Sequence, residues 1–234
     1  MFDFTAKVVW VTGAAGNLGL AVAHAFDAAG ANLTLIDHKP GRLQALYPTH
    51  VAEARYLLAD GVDANDLDSL GQAARQTVAR FGRIDVLVNT IGGYAGGTPV
   101  HEMTPEQWDT MFTLNARSAF MVSRAVAPYM LEQQAGRIIH VSSRSALNGS
   151  ALSAPYSAAK SAVIRLTESL SAELRPKGIN VNCILPGTID TPQNRVAMPR
   201  ADTSKWVLPE AIADVILFLA SDAARAVNGV AIPL

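Results

Sequence analysis

Short apolar runs alternate with longer amphipathic runs along the chain, and the two kinds of run predict strands and helices in turn. The first apolar run, KVVWVTG at residues 7–13, is almost continuous in β-branched and aromatic side chains. Such a run is typical of a strand that is buried on both faces of a parallel sheet. Seven apolar runs predict strands, at residues 7–13, 31–37, 54–60, 83–89, 136–143, 179–187 and 229–234.

The amphipathic runs between these strands predict the helices of an α/β fold. The clearest lie at residues 18–30, 67–82, 104–134, 155–174 and 209–222. Thr104 followed by Pro105 predicts the start of the third helix, because proline suits the first turn. The alternation predicts a doubly wound seven-stranded parallel sheet with helices on both faces. No repeat, low-complexity tract or linker divides the sequence, so we expect a single domain over residues 1–234.

One region, residues 188–208, shows no steady period and carries Pro192, Arg195, Pro199 and Arg200. In a doubly wound sheet it would follow the sixth strand and lie over the crevice at the carboxyl ends of the strands, where ligands bind. We therefore predict that residues 188–208 form a substrate-binding loop that excludes water when it closes. The alternative is a plain surface loop.

The composition agrees with one globular catalytic domain. Hydrophobic residues make up 50% of the chain and charged residues 17%, with a mean hydropathy of +0.19. The 19 basic and 20 acidic residues give a net charge of −1, which provides no footprint for nucleic acid or an anionic membrane. No apolar run is long enough to span a bilayer, and the first residues lack the basic start of a signal peptide. These features predict a cytoplasmic protein.

The metal-ligating residue types are sparse. The single cysteine, Cys183, lies in an apolar strand, so an internal disulfide is excluded and a small buried side chain is expected. We predict no metal site, because the histidines show no ligand spacing and no cluster of cysteines or carboxylates joins them. They are His24, His38, His50, His101 and His140.

A glycine-rich turn joins the first strand to the first helix. Gly13, Gly16 and Gly19 lie in this turn, together with Asn17 and Leu18. A strand, a glycine turn and a helix in this order form the dinucleotide fingerprint, in which backbone N–H groups and a helix N-terminus meet a pyrophosphate. The alternative is a tight turn that only packs a helix on a sheet.

A carboxylate, Asp37, ends the second strand, eighteen residues after Gly19. It is placed to accept hydrogen bonds from the adenosine ribose hydroxyls and to repel a 2′-phosphate. NAD(H) is therefore favoured as cofactor. NADP(H) stays the alternative, because His38 and Lys39 follow Asp37 and a flexible lysine could accommodate a phosphate.

Tyr156 and Lys160 stand four residues apart in a predicted helix, which places them on one face. A nearby ammonium favours the phenolate and would lower the tyrosine pKa from about 10 toward working pH. Ser143 lies just upstream, after the fifth strand. A phenol, an ammonium and a hydroxyl are the groups needed to move a proton onto or off an oxygen atom. The alternative is a surface lysine beside a packed tyrosine.

These motifs together resemble the short-chain dehydrogenase/reductase family across essentially the whole chain. TGAAGNLG is similar to the family's glycine turn, and LVNTIGG, with Asn89, is similar to its fourth strand end. Ser143 lies thirteen residues before Tyr156, which matches the family's spacing of serine and tyrosine. The resemblance implies a Rossmann fold and an NAD(P)-dependent oxidoreductase acting on a small carbonyl or alcohol.

The resemblance also implies individual roles. The catalytic residues would be Asn115, Ser143, Tyr156 and Lys160. Lys160 would also hold the nicotinamide ribose, and Asn115 would hold a water that leads protons to solvent. Further cofactor contacts are implied at Tyr156 and at the ends of the third, fourth and sixth strands, at Asp60, Gly61, Asn89, Pro186, Gly187, Thr188, Ile189 and Thr191.

Three further interpretations stay open. Residues 91–97 and 190–206 are similar to stretches of quinonoid dihydropteridine reductase, a family member that uses NADH but lacks the active-site serine. A fold of this kind could also serve a nucleotide-sensing protein without turnover. The protein could also act mainly as an oligomeric scaffold, since the family commonly assembles as tetramers through its two long helices, which implies a homotetramer or a dimer here. Tyr94, Trp108, Met198 and Trp206 are candidates for an apolar substrate pocket.

Overall fold

A computed structural model describes residues 2–50 and 53–234. Seven parallel strands form one sheet in the order β3-β2-β1-β4-β5-β6-β7. In chain order, β1 to β7 are Val8–Thr12, Asn32–Asp37, Tyr56–Asp60, Val86–Asn89, Gly136–Val141, Ile179–Leu185 and Ala231–Pro233. The predicted α/β fold with a seven-stranded parallel sheet is confirmed. The predicted domain also includes residues 1, 51 and 52, which lie outside the described residues.

Helices cover both faces of this sheet. In chain order, α1 to α8 are Asn17–Ala28, Arg42–Leu46, Leu67–Phe81, Pro105–Phe112, Ser118–Gln133, Ala154–Leu174, Pro192–Ala197 and Pro209–Ala220. Helices α1 and α8 pack on one face, and α3 and α5 pack on the other. Within the described residues, no helix is long and apolar enough to cross a membrane.

The first strand shows why the chain forms two cores. Successive side chains of a strand point to opposite faces. Val9 and Val11 therefore join the core beneath α1 and α8, while Trp10 joins the core beneath α3 and α5. All three are fully buried, and the Trp10 indole N–H donates a hydrogen bond of 2.9 Å to Thr77. A continuous apolar run is thus needed to fill both sides of the sheet.

Three local features differ from the predicted elements. The predicted helix over residues 104–134 is broken into α4 and α5 by a π-helical segment, Thr113–Arg117. The predicted loop 188–208 contains the short helix α7, whose first turn is capped by the side chain of Thr191. Ile189 and Val207 pair in parallel across this segment, so its two ends are held together. The short helix α2 follows β2 and was not predicted.

The carboxyl ends of all seven strands meet at one edge of the sheet because the strands are parallel. Gly13 follows β1, Asp37 is the last residue of β2, and Ser143 follows β5. Asp37 is paired in register with Asp60 at the end of β3. This edge therefore gathers most of the predicted site residues, as expected for a doubly wound sheet.

Candidate active site

The glycine turn after β1 requires glycine at two positions. Gly13 has φ of +68°, in the left-handed region that glycine adopts without steric cost. A Cβ on Gly19 would overlap the Gly13 carbonyl oxygen, because α1 starts directly against the turn. The N-cap of α1 is Gly16, and no side chain caps the helix there. Its first N–H groups are therefore available to an anion.

The Asp37 carboxylate lies at the end of β2 and is only 4% exposed. Its Oδ1 atom accepts a hydrogen bond of 3.0 Å from the backbone N–H of Lys39. The Arg42 guanidinium approaches the same oxygen at 3.9 Å and donates to the carbonyl oxygen of Ala15, in the glycine turn, at 2.9 Å. Arg42 thus joins the glycine turn to the end of β2, a contact that the sequence did not predict.

Asp60 has one buried oxygen atom without a partner. Its Oδ1 atom accepts a hydrogen bond of 3.0 Å from the backbone N–H of Leu43, whereas Oδ2 is buried and has no hydrogen bond among the described residues. Buried polar atoms are nearly always satisfied, so an orphaned acceptor at a ligand-binding edge suits a ligand donor. Gly61, which follows, has φ of +74°.

Asn89 lies beneath the crevice and is 2% exposed. Its Oδ1 atom accepts a hydrogen bond of 2.7 Å from the hydroxyl of Thr12 and one of 3.2 Å from the N–H of Ile91. Thr90 donates to the Thr12 carbonyl oxygen at 2.7 Å. These bonds tie the end of β4 to β1 and fix the floor of the crevice.

Lys160 is buried on α6, with 4% of its surface exposed. Its Nζ atom donates a hydrogen bond of 3.0 Å to the carbonyl oxygen of Val141 in β5. Burial lowers the pKa of Lys160 to about 8, because a charged ammonium loses hydration there. The side chain is therefore not the solvated surface lysine of the alternative interpretation.

Tyr156 is the neighbour of Lys160 on α6, and the Lys160 Nζ atom lies 5.9 Å from the centroid of its ring. Burial raises the pKa of Tyr156, while hydrogen bonding to the Ser143 side chain acts in the opposite direction. The prediction that the Tyr156 pKa is lowered is therefore wrong. Desolvation of the phenol is the larger effect.

Ser143 follows β5 and is 8% exposed. Its Oγ atom accepts a hydrogen bond of 3.2 Å from the N–H of Ser145, which holds the start of a single helical turn, Arg144–Ala146. The preceding residue, Ser142, donates to the Lys160 carbonyl oxygen at 2.7 Å. These bonds join the loop after β5 to α6, so Ser143 and Tyr156 come from two elements that are tied together.

Asn115 lies within the π-helical segment and is 1% exposed. Its Nδ2 atom donates to the carbonyl oxygens of Gly93 and Met111 at 3.0 Å each, and its Oδ1 atom accepts from the N–H of Gly93 at 3.2 Å. A Cβ on Gly92 would lie 2.8 Å from Lys160 Nζ and 2.9 Å from Asn115 Oδ1. The backbone at Gly92 therefore fits directly against both polar groups.

Two cavities meet at Tyr156. A cavity of about 300 Å³ includes the glycine turn and Lys160, and a cavity of about 540 Å³ includes Ser143. Tyr156 lines both of them. The smaller cavity contains the predicted cofactor residues Gly13, Gly16, Asn17, Leu18, Gly19, Tyr156, Lys160, Ile189 and Thr191.

The larger cavity receives the remaining part of the loop after β6. Pro186, Gly187 and Thr188 line it. Asp37, Asp60, Gly61 and Asn89, which were also predicted to contact the cofactor, line neither cavity.

Of the four residues predicted to form an apolar substrate pocket, some line the larger cavity and others do not. Tyr94 and Met198 line the larger cavity, and the Tyr94 ring meets the Tyr156 ring edge to face at 5.0 Å. Trp108 stacks on Phe112 instead, and neither it nor Trp206 lines this cavity. Two of the four candidates therefore contribute to this pocket.

Residues 7–201 match the protein family described as short chain dehydrogenase. The chain belongs to this family. The 3-oxoacyl-[acyl-carrier-protein] reductase FabG of Thermotoga maritima is 34% identical to this short-chain dehydrogenase, over 95% of this chain and 94% of the relative. The D-threitol dehydrogenase of Mycolicibacterium smegmatis is 34% identical, over 97% of this chain and 92% of the relative.

The fold of this short-chain dehydrogenase is also shared with solved structures. The crystal structure of levodione reductase superimposes with a TM-score of 0.90 and 31% identity, over 99% of this chain and 97% of that chain. The predicted family, fold and oxidoreductase class are confirmed. The family binds a nicotinamide cofactor, NAD or NADP, and its reductases act on small molecules. These findings do not favour the pterin reductase or the non-catalytic sensor.

Sequence reasoning missed one charged residue of this short-chain dehydrogenase site. Arg144 lines the larger cavity beside Ser143. Its position directly after Ser143 was the only feature of the sequence that could have indicated its place in the site. It also missed the contact of Gly92 with Lys160 and Asn115, because a close approach of backbone to side chain has no period in the sequence. Within residues 2–50 and 53–234, no group of three or more histidine, cysteine or acidic side chains could hold a metal ion.

Proposed function

We propose that this protein is an NAD-dependent oxidoreductase that interconverts a small carbonyl compound and its alcohol. The observation that carries the proposal is the position of Tyr156, which lines both the cavity of the glycine turn and the cavity of Ser143. A proton donor at this junction can reach a substrate whose carbonyl carbon faces the cofactor. The proposed active-site residues are Asn115, Ser143, Tyr156 and Lys160.

The residues present fit a dinucleotide. The uncapped N-terminus of α1 suits a pyrophosphate, and the unpartnered Oδ2 atom of Asp60 suits a donor on the adenine ring. The buried Asp37 carboxylate would accept hydrogen bonds from ribose hydroxyls. When bound, the nicotinamide supplies a hydride to the carbonyl carbon or accepts it from the alcohol carbon.

We assign the transfer of the proton to and from the substrate oxygen to Tyr156. Its phenol donates a proton to the carbonyl oxygen during reduction and recovers one from the alcohol during oxidation. Burial raises the pKa of Tyr156, so the neutral phenol, the form that can donate, predominates at neutral pH. The Ser143 hydroxyl hydrogen-bonds the oxygen on which negative charge develops.

Lys160 and Asn115 support this proton transfer. The Lys160 ammonium holds the nicotinamide ribose and favours the phenolate that remains after the proton leaves. Asn115 and Gly93 exchange two hydrogen bonds, and Asn115 lies close to Lys160 through Gly92. This arrangement supports a role for Asn115 in holding a water molecule through which Tyr156 recovers its proton from solvent.

We favour NAD over NADP because Asp37 presents a buried negative charge at the ribose end of the crevice. The charge would repel a 2′-phosphate. Arg42 lies 3.9 Å from the same carboxylate and is already engaged by the carbonyl oxygen of Ala15. The positive charge of Arg42 therefore already faces the Asp37 carboxylate.

Residues 188–208 are proposed as the substrate-binding loop of the single domain. Ile189 and Val207 pair at its base, and Asn17 at the start of α1 donates a hydrogen bond of 2.6 Å to Gln193 in α7. The loop is thus attached to the cofactor side of the crevice. Hydrogen exchange should slow in this loop when NADH is added, and equally strong protection with and without NADH would contradict a closing loop.

The proposed function is tested by measuring NADH oxidation and NAD reduction over a panel of ketones, sugars, quinones and hydroxy acids. Tyr156→Phe should abolish turnover while NADH still binds, because only the phenol hydroxyl is removed. An active Tyr156→Phe variant would contradict the assignment of the proton to Tyr156. The cytoplasmic location and the homotetramer stay predictions, and size measurement in solution tests the second.

A further inference from the structure

The cavity that contains Ser143 and Tyr156 has one positively charged side chain, Arg144, and no carboxylate in its lining. We propose that Arg144 binds a carboxylate of the substrate, so that the protein acts on small oxo and hydroxy acids. This inference rests on the proposed function and deepens it by naming the substrate class. Reduction then converts the oxo group of the acid to a hydroxyl with one hydride and one proton, and the carboxylate itself is unchanged.

The backbone of Arg144 is fixed relative to the proton-transfer residues. Its N–H donates a hydrogen bond of 3.0 Å to the carbonyl oxygen of Pro186, at the end of β6. It also begins the helical turn that the Ser143 side chain caps. The backbone of Arg144 is therefore held between the end of β6 and Ser143. Its side chain starts at a fixed position beside the Ser143 hydroxyl.

The guanidinium of Arg144 is not used by the fold. Within the described residues, its side chain has no carboxylate within ion-pair distance and no hydrogen bond to any acceptor. Arg195, on the neighbouring loop, instead binds Asp190 through two hydrogen bonds of 2.6 and 2.7 Å. Arg144 therefore keeps all five donors of its guanidinium for a ligand.

The surroundings of Arg144 also suit an anion. A Cβ on Gly187 would lie 3.4 Å from the Arg144 Cδ atom, so the missing side chain leaves this part of the cavity open. The other polar groups of the lining are neutral hydroxyls and an amide, from Ser145, Ser153, Thr188 and Asn194 among them. A guanidinium in such surroundings binds a carboxylate in a planar, two-point arrangement.

The test measures the binding of acid and ester pairs to the NADH-loaded protein by calorimetry. The probes are acetoacetate and levulinate, each compared with its methyl ester, which keeps the ketone and removes the charge. At least one acid should bind about three- to tenfold more tightly than its ester, because Arg144 is exposed and water screens its pairing with a carboxylate. Arg144→Gln should abolish this preference, and Arg144→Lys should retain part of it.

Two comparisons separate the possible results. Arg175→Gln removes the same charge from an exposed position outside the site and should leave the acid preference unchanged. Equal binding of acids and esters to the wild type, or an unchanged preference in Arg144→Gln, would overturn the carboxylate assignment even if neutral ketones are reduced. Acids that bind through Arg144 but are never reduced, with no other carbonyl turned over, would instead count against the proposed oxidoreductase function alone.

Discussion

The ammonium nitrogen of Lys160 lies 5.9 Å from the centroid of the Tyr156 ring, and both side chains project from α6. The hydrogen bond of this ammonium goes to the Val141 carbonyl oxygen, at 3.0 Å. Lys160 is therefore anchored to the sheet beside the Tyr156 ring. Its charge is buried, which has a measurable effect on stability.

We predict that this burial makes stability depend on pH. The pKa of Lys160 is lowered to about 8, below its value in the unfolded chain. Between these values the unfolded chain binds more protons, so the free energy of unfolding rises with pH. Relative to Lys160→Met, the wild type should gain about 2 kcal/mol between pH 7.5 and pH 10.

Denaturant unfolding of both proteins at several pH values measures this difference. The comparison with Lys160→Met cancels the contributions of tyrosines and of other groups that titrate in the same range. Parallel pH profiles for the two proteins would show that the Lys160 charge is not desolvated.

We predict that Gly92→Ala lowers turnover. The added Cβ would lie 2.8 Å from Lys160 Nζ and 2.9 Å from Asn115 Oδ1, so at least one of these groups must move. A displacement of about 1 Å in an active site costs on the order of a hundredfold in rate. Steady-state kinetics with any substrate found in the panel would measure the loss.

Gly149→Ala is the matched control, because a Cβ on Gly149 meets no atom within 4 Å. It should keep wild-type turnover. Equal turnover of Gly92→Ala and the control would mean that Lys160 and Asn115 need not hold their positions.

The fold was predictable because the central strands are buried on both faces and so leave continuous apolar runs, as in β1 and β4. The Tyr156 and Lys160 pair was also predictable, since an i and i+4 spacing on a helix fixes their common face. The cap of α7 by Thr191 and the pairing of Ile189 with Val207 were not, because they depend on contacts between distant residues. The direction of the Tyr156 pKa shift required knowledge of burial, which the sequence does not state.

We predict that Asp37→Ser weakens discrimination between the two nicotinamide cofactors. The wild type should bind NADH more tightly than NADPH, because Asp37 repels the 2′-phosphate. Removing the charge should weaken NADH binding and strengthen NADPH binding by about tenfold each, as expected for one charged hydrogen bond gained or lost. Fluorescence titration with NADH and NADPH measures both affinities.

Asp214→Ser is the control, since Asp214 is an exposed acid on α8. It changes the net charge by the same amount and should leave both affinities unchanged. A wild type that prefers NADPH would contradict the proposed cofactor choice directly.

We predict that His140 makes the protein sensitive to mild acid. His140 is fully buried in β5, its Nε2 atom lies 3.2 Å from the Ser123 hydroxyl, and burial lowers its pKa to about 4. Between pH 4 and the pKa of about 6.5 in the unfolded chain, only the unfolded chain is protonated. Stability is therefore lost as pH falls through this range.

The loss assigned to His140 between pH 7 and pH 5 is about 2 kcal/mol. It is measured as the change in unfolding free energy of the wild type minus that of His140→Gln. His101→Gln, which alters a histidine that is 80% exposed, should keep the wild-type dependence on pH. If His140→Gln loses as much stability as the wild type on acidification, the buried ring must accept its proton without cost, and its neutral state would not be required by the fold.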